Sequence, residues 1–205
     1  RGATAIVHAA PAMGAKFTQY TVEFEPGGTL APTAGQRFVY LLEGAVEVSG
    51  TTLRSGDFAW MPPGFDAVPR AIENARATLI EKPYTVVPGF DCPRFFHGSE
   101  SAVTPTLLAG DPWLEVRSLI PADPAFDLAV NTMSFQPGAT LPMVEIHVME
   151  HGLLMLDGSG IYRLGGDWYS VTAGDFIWMA PYLPQWFGAL GKIPARYLIY
   201  KDWNR

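Results

Sequence analysis

The sequence predicts an all-β protein made of two tandem antiparallel β-barrels, and three observations lead to this prediction. First, 21 glycines and 18 prolines divide the chain into short apolar or alternating segments. Second, these segments are rich in Val, Ile, Tyr, Phe and Trp, which suit half-buried strands, whereas helical periodicity is hard to find. Third, several segments occur twice in the same order, which indicates an internal duplication.

The duplication is clearest around the turns. The segment VEFEPGG at 22–28 corresponds to MSFQPGA at 133–139, and RSGDFAWMPPG at 54–64 corresponds to TAGDFIWMAPY at 172–182. Three pairs of turn glycines repeat with an offset that drifts from 111 to 118 residues, as small loop insertions would make it: Gly27 with Gly138, Gly44 with Gly158, and Gly56 with Gly174.

Each half is therefore predicted to be a small barrel or jelly roll, a fold that closes its sheet and can enclose a ligand. The predicted N-terminal domain covers residues 1–88 and the predicted C-terminal domain covers 115–205. The Pro- and Gly-rich segment 89–114 is predicted to be the linker between them.

Composition excludes several classes of function. Hydrophobic residues make up 48% of the chain, the net charge is −6, and there is no run of Lys or Arg. A nucleic-acid partner is not expected without a basic face, and no apolar stretch approaches the length of a membrane span. The single cysteine, Cys92, forms no intrachain disulfide. Because the chain begins at Arg1 without a methionine, the absence of a signal peptide carries no weight.

The sequence EIHVMEH at 145–151 holds two of the four histidines. Its last five letters match the inverted zinc-protease motif H-x-x-E-H, which needs a helix. The segment is short, is bounded by Pro142 and Gly152, and contains β-branched residues, so we expect a strand. On a strand Glu145, His147 and His151 share a face, whereas Glu150 points away. Two imidazoles and one carboxylate on one face predict a metal site.

The motifs around this segment resemble the cupin superfamily, which implies two tandem jelly-roll cupin domains. The second half matches the cupin pattern from Gly138 to Gly158 and again after Gly174. The four cupin metal-ligand positions are then filled by Glu145, His147, His151 and Gln185. In the first half the position equivalent to Gln185 is Ala67, so this half is expected to bind no metal.

Among cupins, the ligand pattern E-x-H-x3-H…Q resembles the (S)-ureidoglycine aminohydrolase family of bicupins. That resemblance implies that Tyr197 and Lys201 contact the substrate, together with Glu145 and Gln185. Positions 197 and 201 share one face of a strand, although a buried tyrosine and a surface lysine would explain these two residues equally well. Lys201 is expected either to bind the substrate carboxylate or to transfer a proton, and which group acts as the base does not follow from the sequence.

Oxygen and nitrogen ligands without a thiolate favour Mn²⁺, with Fe²⁺ and Zn²⁺ as alternatives. The implied activity is the hydrolysis of (S)-ureidoglycine in allantoin and purine catabolism. The alternatives are a non-haem metal oxygenase and a non-catalytic bicupin that binds a metabolite. The expected partners are a small ureide substrate and further copies of the chain. The cytoplasm is the expected compartment for a bacterial source.

Overall fold

The structure is a computed structural model that describes residues 1–203. The last two residues of the predicted domain 115–205 lie outside this range. Within the described part, eighteen strands are joined by turns and by three 3₁₀ helices, Pro11–Met13, Glu100–Ala102 and Leu108–Gly110. None of these helices has the length and apolar composition that a membrane span requires. The all-β prediction is confirmed.

The chain divides into two compact units, with the boundary between Ala102 and Val103. This boundary lies inside the segment 89–114 that the sequence predicts as a linker. The segment also carries two short strands, Phe96–Ser99 and Thr106–Leu107, and each pairs with a strand of its own unit. The N-terminal unit therefore extends past residue 88.

The N-terminal unit is a jelly roll of two antiparallel sheets. The larger sheet has the strand order β1-β2-β8-β3-β6-β9 and the smaller has the order β5-β4-β7. The strands are β1 (Ala3–Ala9), β2 (Thr18–Phe24), β3 (Gln36–Glu43), β4 (Ala45–Val48), β5 (Thr51–Arg54), β6 (Asp57–Met61), β7 (Arg70–Ala71), β8 (Ala75–Lys82) and β9 (Phe96–Ser99).

The C-terminal unit repeats this arrangement in all but one strand, because the sixth strand of its larger sheet lies at the opposite edge. Its larger sheet has the order β10-β11-β12-β18-β13-β16 and its smaller sheet has the order β15-β14-β17. The strands are β10 (Thr106–Leu107), β11 (Leu114–Ser118), β12 (Leu128–Phe135), β13 (His151–Asp157), β14 (Ser159–Leu164), β15 (Asp167–Thr172), β16 (Phe176–Met179), β17 (Gln185–Leu190) and β18 (Ala195–Asp202).

Each unit buries its own core between its two sheets. Along β2, the alternate residues Tyr20, Val22 and Phe24 enter the N-terminal core. Along β18, Tyr197 and Ile199 enter the C-terminal core in the same way. The alternation follows from the period of a strand, in which every second side chain points to the same face of the sheet. Aromatic rings fill much of the C-terminal core, where Phe135, Phe187 and Tyr197 lie within 5.5 Å of one another, centroid to centroid.

The repeated glycines mark equivalent turns, as the sequence indicates. Gly44 and Gly158 both have positive φ, 75° and 71°. A Cβ at Gly44 would lie 2.2 Å from the Asn74 carbonyl oxygen, and one at Gly158 would lie 2.5 Å from the Pro194 carbonyl oxygen. Both positions therefore require glycine for conformation and for space. These turns close the two jelly rolls in the same way.

Candidate functional site

The segment that carries the candidate ligands is neither a helix nor a continuous strand. From Pro142 to Glu150 it forms only an isolated bridge, between Glu145 and Gln185, and β13 begins at His151. The strand predicted over 142–151 is thus wrong for all but its last residue. The cause is a bulge, because the bridges Thr140–Gly188 and Glu145–Gln185 are five residues apart on one side and three on the other. The extra residues interrupt the ladder.

Backbone hydrogen bonds nevertheless hold this segment against β17. The Glu145 and Gln185 backbones exchange two hydrogen bonds, at 2.8 and 2.9 Å, and the Tyr182 N–H donates to the His147 carbonyl at 2.6 Å. Tyr182 has a φ of 62°. It stands at the position where the first half has Gly64, whose φ is 70°. The turn therefore keeps its left-handed conformation although it has lost its glycine.

The candidate ligands meet at one end of the C-terminal barrel. The carboxylate of Glu145 lies 3.1 Å from Nε2 of His147. The rings of His147 and His151 are 5.0 Å apart, centroid to centroid, and nearly perpendicular. Gln185 is buried and opens β17 beside Glu145. We call Glu145, His147, His151, Gln185 and Lys201 the mouth cluster.

His151 is the most telling member of the mouth cluster. It is 1% exposed, and neither ring nitrogen has a hydrogen-bond partner of ordinary geometry among the described residues. Burial, helped by the nearby charges of Lys201 and His147, lowers the pKa of His151 to about 3, and the adjacent backbone of Tyr200 and Glu150 opposes this only partly. A neutral, unpartnered imidazole in the interior costs free energy unless it binds something.

Lys201 lies directly opposite His151 on the neighbouring strand β18. Burial lowers the pKa of Lys201, and the negative charge of Glu145 opposes that effect. Tyr197 lies four residues earlier on the same strand and is 1% exposed. Burial, together with nearby Tyr162 and Glu145, raises the pKa of Tyr197, so its hydroxyl stays protonated and can donate a hydrogen bond.

Tyr162 is a member of this neighbourhood to which the sequence assigned no role. Its hydroxyl lies 3.2 Å from both Oε1 of Gln185 and Sδ of Met179. Burial raises the pKa of Tyr162, so this hydroxyl remains a donor and orients the Gln185 amide. The G-x-G-x-Y pattern that ends at Tyr162 is the sequence signal for it, but only the fold shows which side chain it contacts.

Glu150 lies outside the mouth cluster. It is 1% exposed, and its Oε2 accepts a hydrogen bond of 2.9 Å from the Trp178 indole N–H. The equivalent pair in the N-terminal unit is Gln36 and Trp60, whose indole N–H donates to Oε1 of Gln36 at 3.2 Å. A pair that both units share, one of them without metal-ligand residues, has a structural role.

The N-terminal unit fills the corresponding place with an ion pair. Arg37 lies opposite Met61 and Glu81, just as His151 lies opposite Met179 and Lys201. Nε of Arg37 contacts Oε1 of Glu81 at 2.6 Å, and Tyr20 donates to the same oxygen at 2.5 Å. The polar groups here satisfy one another.

The donor set of the mouth cluster fits a divalent metal ion. It combines two imidazoles, a carboxylate and an amide oxygen, and one ring nitrogen of His151 is available to bind the ion. Among residues 1–203, no group of three His, Cys, Asp or Glu side chains has the arrangement that would hold a metal ion. Glu145 contacts His147 at 3.1 Å instead, a distance that two neighbouring ligands of one ion can also have.

Comparison with known proteins follows the same division. Residues 131–200 match the protein family described as "Cupin domain", and residues 12–84 match the family described as "EutQ-like cupin domain". The chain is 40% identical over 202 residues to the (S)-ureidoglycine aminohydrolase of Arabidopsis thaliana, covering 95% of the chain and 67% of that relative. It is 31% identical over 212 residues to the Escherichia coli protein of the same name, covering 98% of the chain and 81% of that relative.

A solved structure shows the same fold over the whole chain. A Pseudomonas aeruginosa protein described as glyoxylate-induced superposes with a TM-score of 0.90 at 33% identity. The match covers 100% of this chain and 81% of that one.

Proposed function

Because the chain belongs to the (S)-ureidoglycine aminohydrolase family, a family of C–N hydrolases, we propose that it converts (S)-ureidoglycine and water into (S)-ureidoglycolate and ammonia. This reaction would serve allantoin and purine catabolism. The observation that carries the proposal is the mouth cluster, where the buried imidazole of His151, which makes no hydrogen bond of ordinary geometry within residues 1–203, lies opposite the half-buried Lys201.

Glu145, His147, His151 and Gln185 would hold the metal ion, and Mn²⁺ suits this mix of oxygen and nitrogen donors best. When bound, the ion supplies positive charge that polarises the substrate and stabilises charge at the reacting carbon. Tyr162 would help to orient the Gln185 side chain, because its hydroxyl contacts the amide oxygen of Gln185. A fixed amide presents that oxygen without an entropic cost at the moment of binding.

Lys201 and Tyr197 would position the substrate. (S)-Ureidoglycine carries a carboxylate, an amine and a ureido group on one carbon. The ammonium of Lys201 pairs with the carboxylate, and this pairing is strong because the side chain is withdrawn from water. The Tyr197 hydroxyl donates a hydrogen bond to the substrate. Its ring packs against Phe135 and Phe187, which restricts its orientation.

The reaction exchanges one substituent at the substrate carbon. The C–N bond to the amine breaks, a C–O bond to the oxygen of water forms, and a proton of that water leaves with the nitrogen as ammonia. The lowered pKa of Lys201 also suits a group that passes this proton on. Carboxylate binding and proton transfer make different demands on the side chain, so substitution separates them.

The test is ammonia release from (S)-ureidoglycine, generated in the assay from allantoate by the enzyme of the preceding step because the substrate is unstable. We expect Lys201→Met to lower kcat/KM about 100-fold or more while the bound metal stays at the wild-type level. Lys201→Arg keeps the charge and should restore KM. If Lys201 only binds the carboxylate, Lys201→Arg should restore kcat too.

Lys192→Met is the matched control, because Lys192 is an exposed lysine in the same unit, in the turn before β18. Its activity should equal that of the wild type. Oxygen consumption without ammonia release would contradict the proposal and favour an oxygenase. Full activity of Lys201→Met would remove Lys201 from the site.

A further inference from the structure

The segment 142–150 of the C-terminal unit turns a row of apolar side chains towards the solvent. Val144, Ile146 and Val148 are exposed and alternate with half-buried positions, and Met143 beside them is exposed as well. Singly exposed apolar side chains are ordinary in proteins, but four within six residues form a patch. The segment therefore has an apolar outer side in addition to the ligand residues on its inner side.

Two tryptophans continue this surface across the smaller sheet of the same unit. Trp186 on β17 and Trp168 on β15 lie on the face of the sheet that is turned away from the core. The Trp186 indole N–H donates to the Leu141 carbonyl at 2.9 Å, which holds the ring beside the start of the segment. The two indole rings are 5.8 Å apart, centroid to centroid, and meet edge to face. We call the following residues the apolar patch: Met143, Val144, Ile146, Val148, Trp168 and Trp186.

The equivalent face of the N-terminal unit is polar. Its smaller sheet sets Glu47 opposite both Thr52 and Arg70, and all three side chains are exposed. These residues form an ordinary solvated surface. The jelly roll therefore does not require an apolar outer face, and the apolar patch is a property of the C-terminal unit alone.

The size of the apolar patch fits an interface between two protein chains. Its side chains expose about 500 Å², which is near the upper end for the largest patch of an ordinary monomer. Together with a polar border this approaches the roughly 800 Å² that each partner buries in a stable dimer. Trp and Met are also among the residue types that are enriched in such interfaces.

The charges at the border of the apolar patch favour an identical partner. Arg163, whose guanidinium lies 5.8 Å from the centre of the Trp168 ring, and the exposed Asp167 both stand beside that ring in the β14–β15 hairpin. One charge of each sign leaves this border neutral, although the chain as a whole carries −6. About a two-fold axis, the arginine of each copy faces the side that holds the aspartate of the other, so like charges need not meet.

We infer that the apolar patch is the surface through which the chain pairs with a second copy of itself about a two-fold axis. Pairing buries Ile146 and Trp168 against the partner copy and removes the exposed apolar row from water. The inference does not depend on the proposed reaction, because no residue of the apolar patch belongs to the mouth cluster.

Sedimentation equilibrium of the full chain tests the inference, with Ile146→Asp and Trp168→Asp as the interface variants. Each substitution places a carboxylate in the interface, and the two-fold axis makes it act twice. We expect the wild type to have at least the mass of a dimer and both variants to have at most half the wild-type mass. Their dissociation constant for self-association should rise about 100-fold or more.

Ile193→Asp is the matched control. Ile193 is 61% exposed, against 60% for Ile146, and it lies in the turn after β17, at the other end of that strand from Gln185. This variant should keep the wild-type mass. Near-ultraviolet circular dichroism checks that each variant is folded.

Hydrogen exchange of the wild type tests the same inference without a substitution. Amide protection within 142–149 should rise with protein concentration, whereas protection within the turn 191–194 should stay constant. A wild type that is monomeric at all concentrations would overturn the inference. So would a wild-type mass in both interface variants, an equal effect of Ile193→Asp, or protection of 142–149 that is independent of concentration.

Discussion

The two barrels share the order of five strands in the larger sheet and of all three in the smaller, and the same positions are paired at one end, yet they fill those positions in opposite ways. In the N-terminal barrel the Arg37 guanidinium contacts Glu81 at 2.6 Å and the Ala31 carbonyl at 2.8 Å. In the C-terminal barrel neither of the buried ring nitrogens of the equivalent His151 has a hydrogen-bond partner of ordinary geometry within residues 1–203. At these paired positions, one barrel joins its polar groups in an ion pair, and the other leaves the ring of His151 for a ligand. That difference, rather than the fold, distinguishes the candidate site of the C-terminal barrel from the same end of the N-terminal barrel, which has a structural role.

A second pair of positions shows what the barrels share. Trp60 donates to Gln36 in one barrel, and Trp178 donates to Glu150 in the other. The tryptophan is retained and an amide replaces a carboxylate, so the hydrogen bond does not need the charge. Glu150 therefore belongs to the common framework, although it stands beside a proposed metal ligand in the sequence.

The largest expected effect separates Glu145 from Glu150. Glu145→Ala should weaken Mn²⁺ binding about 100-fold or more and abolish ammonia release, since it removes the anionic donor. Glu150→Gln copies Gln36 of the other barrel and should leave metal content and activity near the wild-type level. Elemental analysis after dialysis against Mn²⁺ measures both. Loss of metal in Glu150→Gln would show that the framework role assigned to Glu150 is wrong.

The next prediction concerns the equivalent positions 37 and 151, where substitution by methionine should change the free energy of unfolding in opposite directions. Arg37→Met leaves the Glu81 carboxylate, 21% exposed, without its cation. We expect it to lower the free energy of unfolding by about 2 kcal/mol. His151→Met removes two unsatisfied nitrogens and should raise the stability of the metal-free protein by about 1 kcal/mol.

Chemical denaturation of both variants without metal tests this contrast, and the wild type is measured with and without Mn²⁺. Metal should stabilise the wild type and have no effect on His151→Met, because a ligand of the native state raises stability by mass action. Equal destabilisation by the two substitutions would mean that His151 is as well satisfied as Arg37, and the distinction between the barrels would fail.

The smallest effect is expected at the turn that both barrels share. Tyr182 has positive φ and is 66% exposed, and it stands where the other barrel has Gly64. Tyr182→Gly relieves the backbone strain and loses little packing, so we expect a gain of about 0.5 kcal/mol in the free energy of unfolding. Gly64→Tyr, the reverse change, should cost about 1 kcal/mol. A loss of activity without a loss of stability in Tyr182→Gly would assign the tyrosine ring to the site.

The sequence predicted the fold because its signals are local. Turn glycines such as Gly44 and Gly158, and the alternation along β2 and β18, depend on backbone conformation and strand period, which few residues determine. The secondary structure of the 142–150 segment was not predictable in this way. It depends on a bulge against β17, which lies some forty residues later in the sequence. β-branched residues such as Ile146 and Val148 favour a strand, but this segment pairs with β17 only at the isolated bridge of Glu145 with Gln185.

By itself the sequence determined the two barrels, the residue types at each candidate position and the lack of the cupin ligand pattern in the first half. Tertiary structure alone decided which polar groups meet. Three examples join residues twenty to fifty positions apart in the sequence. They are the contact of Tyr162 with Gln185, the ion pair of Arg37 with Glu81, and the placement of His151 opposite Lys201. The physical reason is that hydrogen-bond satisfaction depends on what surrounds a buried group, and strand pairing between distant segments sets those surroundings.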